Sequence, residues 1–300
     1  MIPVVLGTRG SPLALAQTRI VLAAFKSAWP RRTFEIRTIK TQGDRISENP
    51  AGAKAAGDKG MFTGELEEAL RDGRIHIAVH SLKDLPTEDS DGLMVAGVPV
   101  RADARDVLIT RGAGSIADLP AQARLATGSV RRAAQLRLAR ADLEMVDIRG
   151  NIDTRLRKFR ATAAWSGLVL AAAGLERLKP ELEGLTVTPL PYDVMLPAPG
   201  QGALALQTRK DADDSKALIK ALNDPATLAA VKAERMLLHA LGGGCEEPIA
   251  AYARPESGGK LRLDAVAWLF GETEPRRGHL IRKIEHAERL GIELAVELSR

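Results

Sequence analysis

Apolar and polar positions change period repeatedly along this chain, and the changes mark out alternating strands and helices. Residues 2–6 are an apolar run of strand length. Thr8-Arg9-Gly10-Ser11-Pro12 then reads as a helix start: Ser11 is a good N-cap, and proline suits the first helical position. That helix is expected to reach about Lys26, with Leu15, Ile20, Leu22 and Phe25 among its apolar residues. Residues 34–40 alternate through Phe34, Ile36 and Thr38 and predict a strand. Thr63 stands where it can cap a helix whose first turns carry Glu65, Glu67 and Glu68, the sign of charge a helix dipole favours there. Gly73 ends it. Residues 74–82 predict a buried strand that runs into Lys83-Asp84-Leu85-Pro86.

The strand-to-helix joint recurs. Arg124-Leu125-Ala126-Thr127 leads into Gly128-Ser129-Val130-Arg131-Arg132 and a helix to about Ala139. Residues 143–148 lead into Arg149-Gly150-Asn151-Ile152-Asp153-Thr154-Arg155 and a helix to about Arg160. A strand at 167–170 is followed by Ala171 to Leu178, and 203–207 is a further strand. Such alternation predicts α/β domains with mostly parallel sheets, whose ligands sit beyond the carboxyl ends of the strands. Lys83 and Asp84 lie at that edge. Prolines from Pro189 to Pro199, and Val98-Pro99-Val100-Arg101 earlier, suit two interdomain crossings. They predict a discontinuous first domain (1–98 and 198–219), an inserted second (103–195) hinged to it, and a third (222–300). The third is a small α+β domain: a helix at 226–241, strands at 249–254, 261–270 and 279–285, and a helix at 286–299. Residues 43–60 are polar, rich in glycine and alanine, and aperiodic, which suits a lid or a disordered segment.

Composition narrows the chemistry. With 300 residues, 45% of them apolar, two or three domains can each bury a core. One cysteine excludes an intramolecular disulfide and a multi-cysteine zinc cluster. His76, His80, His239, His279 and His286 share no metal-ligand spacing, so no metal is expected. The N-terminus lacks a signal-peptide pattern and no apolar run could span a bilayer, so a cytosolic protein without membrane association is expected. A net charge of +5 favours anionic partners, while 3% aromatics are too few to stack single-stranded nucleic acid.

The positive charge is focused. Arg131 and Arg132 fall in the first turn of one predicted helix, Arg149 and Arg155 flank the start of the next, and Arg9 precedes the helix capped by Ser11. A cation at the positive end of a helix dipole costs about 0.3–1 kcal/mol. Combined with free N–H groups it makes an anion site. Three such joints point to a ligand with several carboxylates or phosphates. Cys245 lies in Leu241-Gly242-Gly243-Gly244-Cys245-Glu246-Glu247-Pro248, where the glycines leave room beside the sulfur. It is a candidate attachment point; a lone cysteine can equally be an inert small apolar residue.

Together, Thr8 to Leu15, His80-Ser81-Leu82-Lys83-Asp84-Leu85-Pro86, Thr127 to Arg132, Arg149-Gly150-Asn151, Pro199-Gly200-Gln201-Gly202-Ala203 and Gly243-Gly244-Cys245 closely resemble the porphobilinogen deaminase (hydroxymethylbilane synthase) family. The motifs run in order from residue 8 to 250, and the likeness thins after about residue 255. The resemblance implies two domains like those of periplasmic binding proteins and a small third domain carrying the cysteine. It implies a dipyrromethane cofactor joined to Cys245 by a thioether. Four porphobilinogen molecules, each with an acetate and a propionate, are joined head to tail with loss of ammonia, and hydrolysis releases 1-hydroxymethylbilane.

By the same resemblance, Arg9, Ser11, Lys83, Asp84, Thr127, Ser129, Arg131, Arg132, Arg149, Gly150, Arg155 and Gln201 hold the cofactor with Cys245. Asp84 is the catalytic carboxylate. Lys59, Phe62, Ser81 and Arg177 serve the substrate and the loop over the site. A monomer that passes its product to uroporphyrinogen-III synthase, without nucleic acid, is implied. Three departures stand out: a Lys54 to Lys59 spacing one residue longer than usual, Pro199 in place of a small aliphatic residue, and the acidic Glu246-Glu247, which would raise the thiol pKa. The competing reading is a module that binds a small polyanion without chemistry; it needs the arginines but neither Asp84 nor Cys245.

Overall fold

The computed structural model describes residues 2–41, 63–243, 247–269, 272 and 274–300. The chain divides into two units, Met1–Arg101 with Ala203–Leu228, and Ala102–Gly202 with Ala229–Arg300.

The first unit is built on β1 (Val4–Arg9), α1 (Pro12–Ala28), β2 (Phe34–Ile39), α2 (Gly64–Arg71), β3 (Ile77–Ser81), β4 (Leu93–Gly97), β10 (Leu204–Arg209) and α6 (Asp213–Lys220). Its sheet runs β2-β1-β3-β10-β4. β1 pairs parallel with β2 and β3, whereas β10 is antiparallel to β3 and β4. The mixture follows from the chain path: β10 returns from the other unit instead of completing a strand-helix-strand crossover, so nothing obliges it to run parallel. Successive side chains take opposite faces. Val4, Leu6, Ile77 and Val79 pack with Val21 and Phe25 of α1, and Val5 and Ala78 pack with Leu66, Ala69 and Leu70 of α2. Ser11 caps α1 by accepting Ala14 N–H at 3.3 Å. Thr63 occupies the N-cap position of α2 but makes no side-chain cap bond; its φ and ψ of −121° and −26° are not the extended values that aim a cap oxygen at the first turn.

The second unit holds a five-stranded sheet, β7-β6-β8-β5-β9, and a three-stranded one. The larger comprises β5 (Asp106–Thr110), β6 (Arg124–Ala126), β7 (Glu144–Val146), β8 (Gly167–Ala171) and β9 (Thr186–Pro189), with α3 (Val130–Ala139), α4 (Ile152–Ala161) and α5 (Ala172–Leu178). β6 is parallel to β7 and β8, and β5 is antiparallel to β8 and β9. The smaller is an antiparallel meander, β11 (Ile249–Glu256), β12 (Lys260–Ala267) and β13 (Arg276–Lys283), covered by α7 (Pro225–Ala240) and α8 (Ala287–Leu298). Leu237, Leu290, Leu294, Ala251 and Leu263 share its core. Gly291 lets the two helices meet: a Cβ there would lie 2.3 Å from Ala233 O.

The meander is seated on the 196–200 segment. Tyr192 and Tyr252 stack at 4.1 Å, and Ala251 N–H donates to Pro197 O at 3.1 Å. Glu234, fully buried on α7, accepts from Gly200 N–H at 2.7 Å and Ala253 N–H at 2.8 Å.

Candidate active site

In the first unit, the carboxyl ends of β1 and β3 meet the start of α1. Arg9 ends β1, Ser81 ends β3, and a 3₁₀ turn, Leu82–Asp84, follows. Leu82 and Leu85 are buried anchors, and Leu82 N–H donates to Ala203 O at 3.0 Å. With those two pinned, Asp84 between them is turned outward and is exposed, while Lys83 is half-buried. Asp84 lines a pocket together with Arg9, Ser11, Gln17, Thr63, His80 and Ser81. Gln17 and Ser81 exchange hydrogen bonds of 2.8 and 3.1 Å. Four of the residues expected at the site therefore share one cavity: Arg9, Ser11, Ser81 and Asp84.

In the second unit, Thr127 follows β6 and its Oγ1 accepts Ser129 N–H at 3.2 Å. Ser129 caps α3 by accepting Arg132 N–H at 3.4 Å, and Asn151 caps α4 by accepting Thr154 N–H at 2.8 Å. The two joints touch through glycine. A Cβ on Gly128 would lie 2.6 Å from Ile148 O, and Gly150 has a φ of +118°.

Arg131 and Arg132, expected to present guanidiniums to a ligand, are buried and face Asp106, itself fully buried at the head of β5. Arg132 donates from Nε (3.0 Å) and Nη2 (2.7 Å) to Asp106 Oδ1, and from Nη1 to Val169 O (3.1 Å). Arg131 places Nη2 2.8 Å from Asp106 Oδ2 and donates from Nη1 to Leu196 O at 2.6 Å. Gln201, also buried, donates to Asp106 Oδ1 at 2.9 Å and Ala104 O at 2.8 Å. Burial alone would raise the Asp106 pKa; the two guanidiniums outweigh it and hold the group at about 2. The charge pattern that breaks the dipole rule in sequence is thus largely answered in space by one distant carboxylate. Two cations against one anion leave a surplus positive charge.

Arg149 and Arg155 stand differently. Arg149 is exposed and pairs with Asp147 at 3.1 Å. Arg155 is half-buried and donates from Nε to Gly150 O at 2.6 Å. Burial pushes its guanidinium pKa down, and Arg132 and Arg149 push the same way, so the three cations share one neighbourhood. Arg177, half-buried, donates from Nη2 to Gly202 O at 2.5 Å. Cys245, Lys59 and Phe62, with Lys54 and Glu246, lie outside the described residues. Glycine closes the C-terminal end of α7: Gly242, at a φ of +70°, and Gly243 donate back to His239 O and Leu238 O. Among the described residues no group of three or more histidines, cysteines or acids could hold a metal ion.

Sequence reasoning missed Asp106, Gln17 and Glu234. Gln17 carried a signal: with Val21 and Phe25 it forms a four-residue spacing on the buried stripe of α1. Asp106 carried a weaker one, a single acid heading the apolar run Val107-Leu108-Ile109.

In each unit the strand ends carry cations beside helix N-termini, an arrangement of an α/β protein that suits an anionic ligand, and in the first unit an exposed carboxylate stands beside them. Known proteins narrow that class. Residues 4–217 match the family model "Porphobilinogen deaminase, dipyromethane cofactor binding domain", and residues 228–300 match "Porphobilinogen deaminase, C-terminal domain". The chain is 46% identical over 292 residues to the porphobilinogen deaminase of Thermus thermophilus, covering 97% of this chain and 94% of the relative. It is 45% identical over 298 residues to that of Deinococcus deserti, covering 98% and 94%. Among solved structures it is similar to the BvgS VFT2 domain of Bordetella pertussis, 15% identical with a TM-score of 0.42, covering 74% of this chain and 86% of that one.

The chain belongs to the porphobilinogen deaminase family. It is a transferase of porphyrin biosynthesis that polymerises porphobilinogen, and its cofactor is dipyrromethane. The donor set fits that group: guanidiniums, hydroxyls and helix N–H groups suit carboxylate arms, and Asp84 is the single acid among the described residues that line the pocket. No described helix is long and apolar enough to cross a membrane.

Proposed function

We propose that this enzyme joins four porphobilinogen molecules head to tail on a dipyrromethane bound to Cys245 through a thioether, releasing one ammonia per addition and, when water cleaves the bond to the primer, 1-hydroxymethylbilane at the end. Residues 1–98 with 198–219 form the catalytic domain, 103–195 the carboxylate-holding domain, and 222–300 the domain of cofactor attachment. When bound, the dipyrromethane supplies the nucleophilic pyrrole carbon on which the chain grows. Each porphobilinogen loses its amine as ammonia, leaving an electron-poor methylene; a carbon–carbon bond forms there, and the ring proton is lost.

Asp84 lies against the pyrrole N–H groups, offsets the positive charge that develops, and handles the proton. Arg9, Arg149 and Arg155, with Lys83, Ser11, Thr127 and Ser129 and the Gly150 backbone, hold acetate and propionate arms; arginine does so through paired N–H bonds that lysine cannot match. Arg131 and Arg132 add the surplus charge of their cluster with Asp106, and Gln201 orients that carboxylate. Ser81 and Arg177 complete the substrate surface, and Lys59 and Phe62 belong to the loop over it. The enzyme works as a cytoplasmic monomer and hands its product to uroporphyrinogen-III synthase. The observation that carries this reading is an exposed Asp84 in one pocket with Arg9, Ser11 and Ser81. Intact-mass measurement tests it. The purified protein should carry an excess of two pyrrole units that Cys245→Ser removes; a fully active protein of unmodified mass would refute it.

A further inference from the structure

The pocket holds a second acceptor. His80 is only 6% exposed, on β3 just before Ser81, and its Nε2 is 3.0 Å from Gln207 Oε1. The proton's position follows from the next bond along. Gln207 Nε2 donates to Glu67 Oε1 at 3.3 Å, and Glu67 also accepts from Ser90 Oγ at 2.8 Å. The Gln207 amide thus gives its NH₂ to Glu67 and turns its oxygen to His80. That oxygen requires an N–H from the ring, which is therefore the Nε2–H tautomer with a bare Nδ1. Burial keeps the imidazole neutral, lowering its pKa to about 4 against the pull of the Gln207 bond, and Arg9 adds to the lowering.

Nδ1 forms no hydrogen bond within the described residues. His80 is one of the residues that line the pocket of Asp84.

We propose that His80 Nδ1 contacts substrate, as a neutral acceptor for an N–H of the pyrrole bound beside Asp84. The proposal rests on the polymerisation reading above. A neutral acceptor suits this place: a second carboxylate would repel Asp84 and raise its pKa, whereas imidazole takes an N–H without altering the charge. The Glu67–Gln207 chain engages the opposite edge of the ring and so fixes which nitrogen is left for the ligand.

Two substitutions separate contact from structure. His80→Asn sets an amide oxygen near the place of Nδ1 but falls short of Gln207. His80→Gln reaches toward Gln207 and leaves the Nδ1 position empty. In the holoenzyme, His80→Gln should melt near the wild type yet raise KM for porphobilinogen about threefold to tenfold, the worth of one neutral hydrogen bond. His80→Asn should melt lower and keep KM within about twofold. A KM that simply follows melting temperature in both variants, or that moves in neither, overturns the contact. Nitrogen NMR of wild-type His80 decides independently of how the variants fold. A bare Nδ1 whose resonance moves toward the protonated range on adding porphobilinogen is expected; an Nδ1–H tautomer, or a resonance indifferent to substrate, overturns it. Wild-type turnover in the same series separates the two readings. No product from the wild type removes the polymerisation reading itself, whereas normal wild-type turnover with an unchanged His80→Gln KM removes only the His80 contact.

Discussion

Two clusters in this molecule use the same residue types to opposite ends. Around Asp84, the polar groups sit at the open ends of β1 and β3, and the carboxylate is exposed among them. Around Asp106, a carboxylate and two guanidiniums are closed in on one another, buried, with Gln201 and the Leu196 and Val169 carbonyls taking up further donors and acceptors. The difference teaches that an acid in a cationic setting has no role readable from charge alone. Access decides: Asp84 is free to meet a ligand, while Asp106 fixes the direction of the cations around it.

The largest effect separates the two acids by what each loses. Asp84→Ala should reduce turnover at least about a hundredfold, the usual minimum for a positioned acid–base group. Its melting temperature should hold, because an exposed side chain at the end of a 3₁₀ turn contributes little to packing. Single-turnover kinetics beside a melting curve check both halves. A stable variant with full turnover would end the catalytic assignment.

Asp106→Asn should do the reverse and fail first in stability. Removing the anion leaves two buried guanidiniums with an amide, and breaking a buried pair in this way typically costs about 3–5 kcal/mol. The acid limb of the stability curve should change with it. A carboxyl held at about 2 in the fold and near the ordinary value when unfolded stabilises the protein above the unfolded pKa, and that contribution disappears as pH falls from about 4 to 2. It amounts to about 2 kcal/mol. Urea unfolding across that window should show a fall in the wild type that is shallower in Asp106→Asn. Parallel curves would mean that the cluster does not carry the linkage.

What the sequence made legible divides along the same line. Strand-to-helix joints, the cap at Ser11, and Asp84 at a strand end are local features, written in residues that neighbour one another along the chain. Asp106 is 25 residues before Arg131 in the chain, and only the β5–β8 pairing and the docking of α3 bring them together. No spacing rule joins them. Gln207 and Glu67 meet His80 for the same kind of reason, since β10 returns from the other unit to lie beside β3. The antiparallel strands were illegible for that cause too: local alternation gives element type, while strand direction depends on a chain path through a second domain.

The smallest effect sharpens the comparison within the second unit. Arg149 belongs to the same cationic neighbourhood as Arg132 and Arg155, yet its side chain is 77% exposed and its partner Asp147 is 63% exposed. Ion pairs so open to water contribute about 0–1 kcal/mol, so Arg149→Gln should leave unfolding free energy within that range. If Arg149 is open to a ligand in the way Asp84 is, the loss should appear in binding: KM for porphobilinogen should rise about tenfold at low salt, and the gap from wild type should narrow as ionic strength screens the exposed charge. A stability loss comparable to that of Asp106→Asn would place Arg149 with the closed cluster. A KM that does not move would leave Arg155 and the surplus charge over Asp106 as the whole of the anion site in this unit.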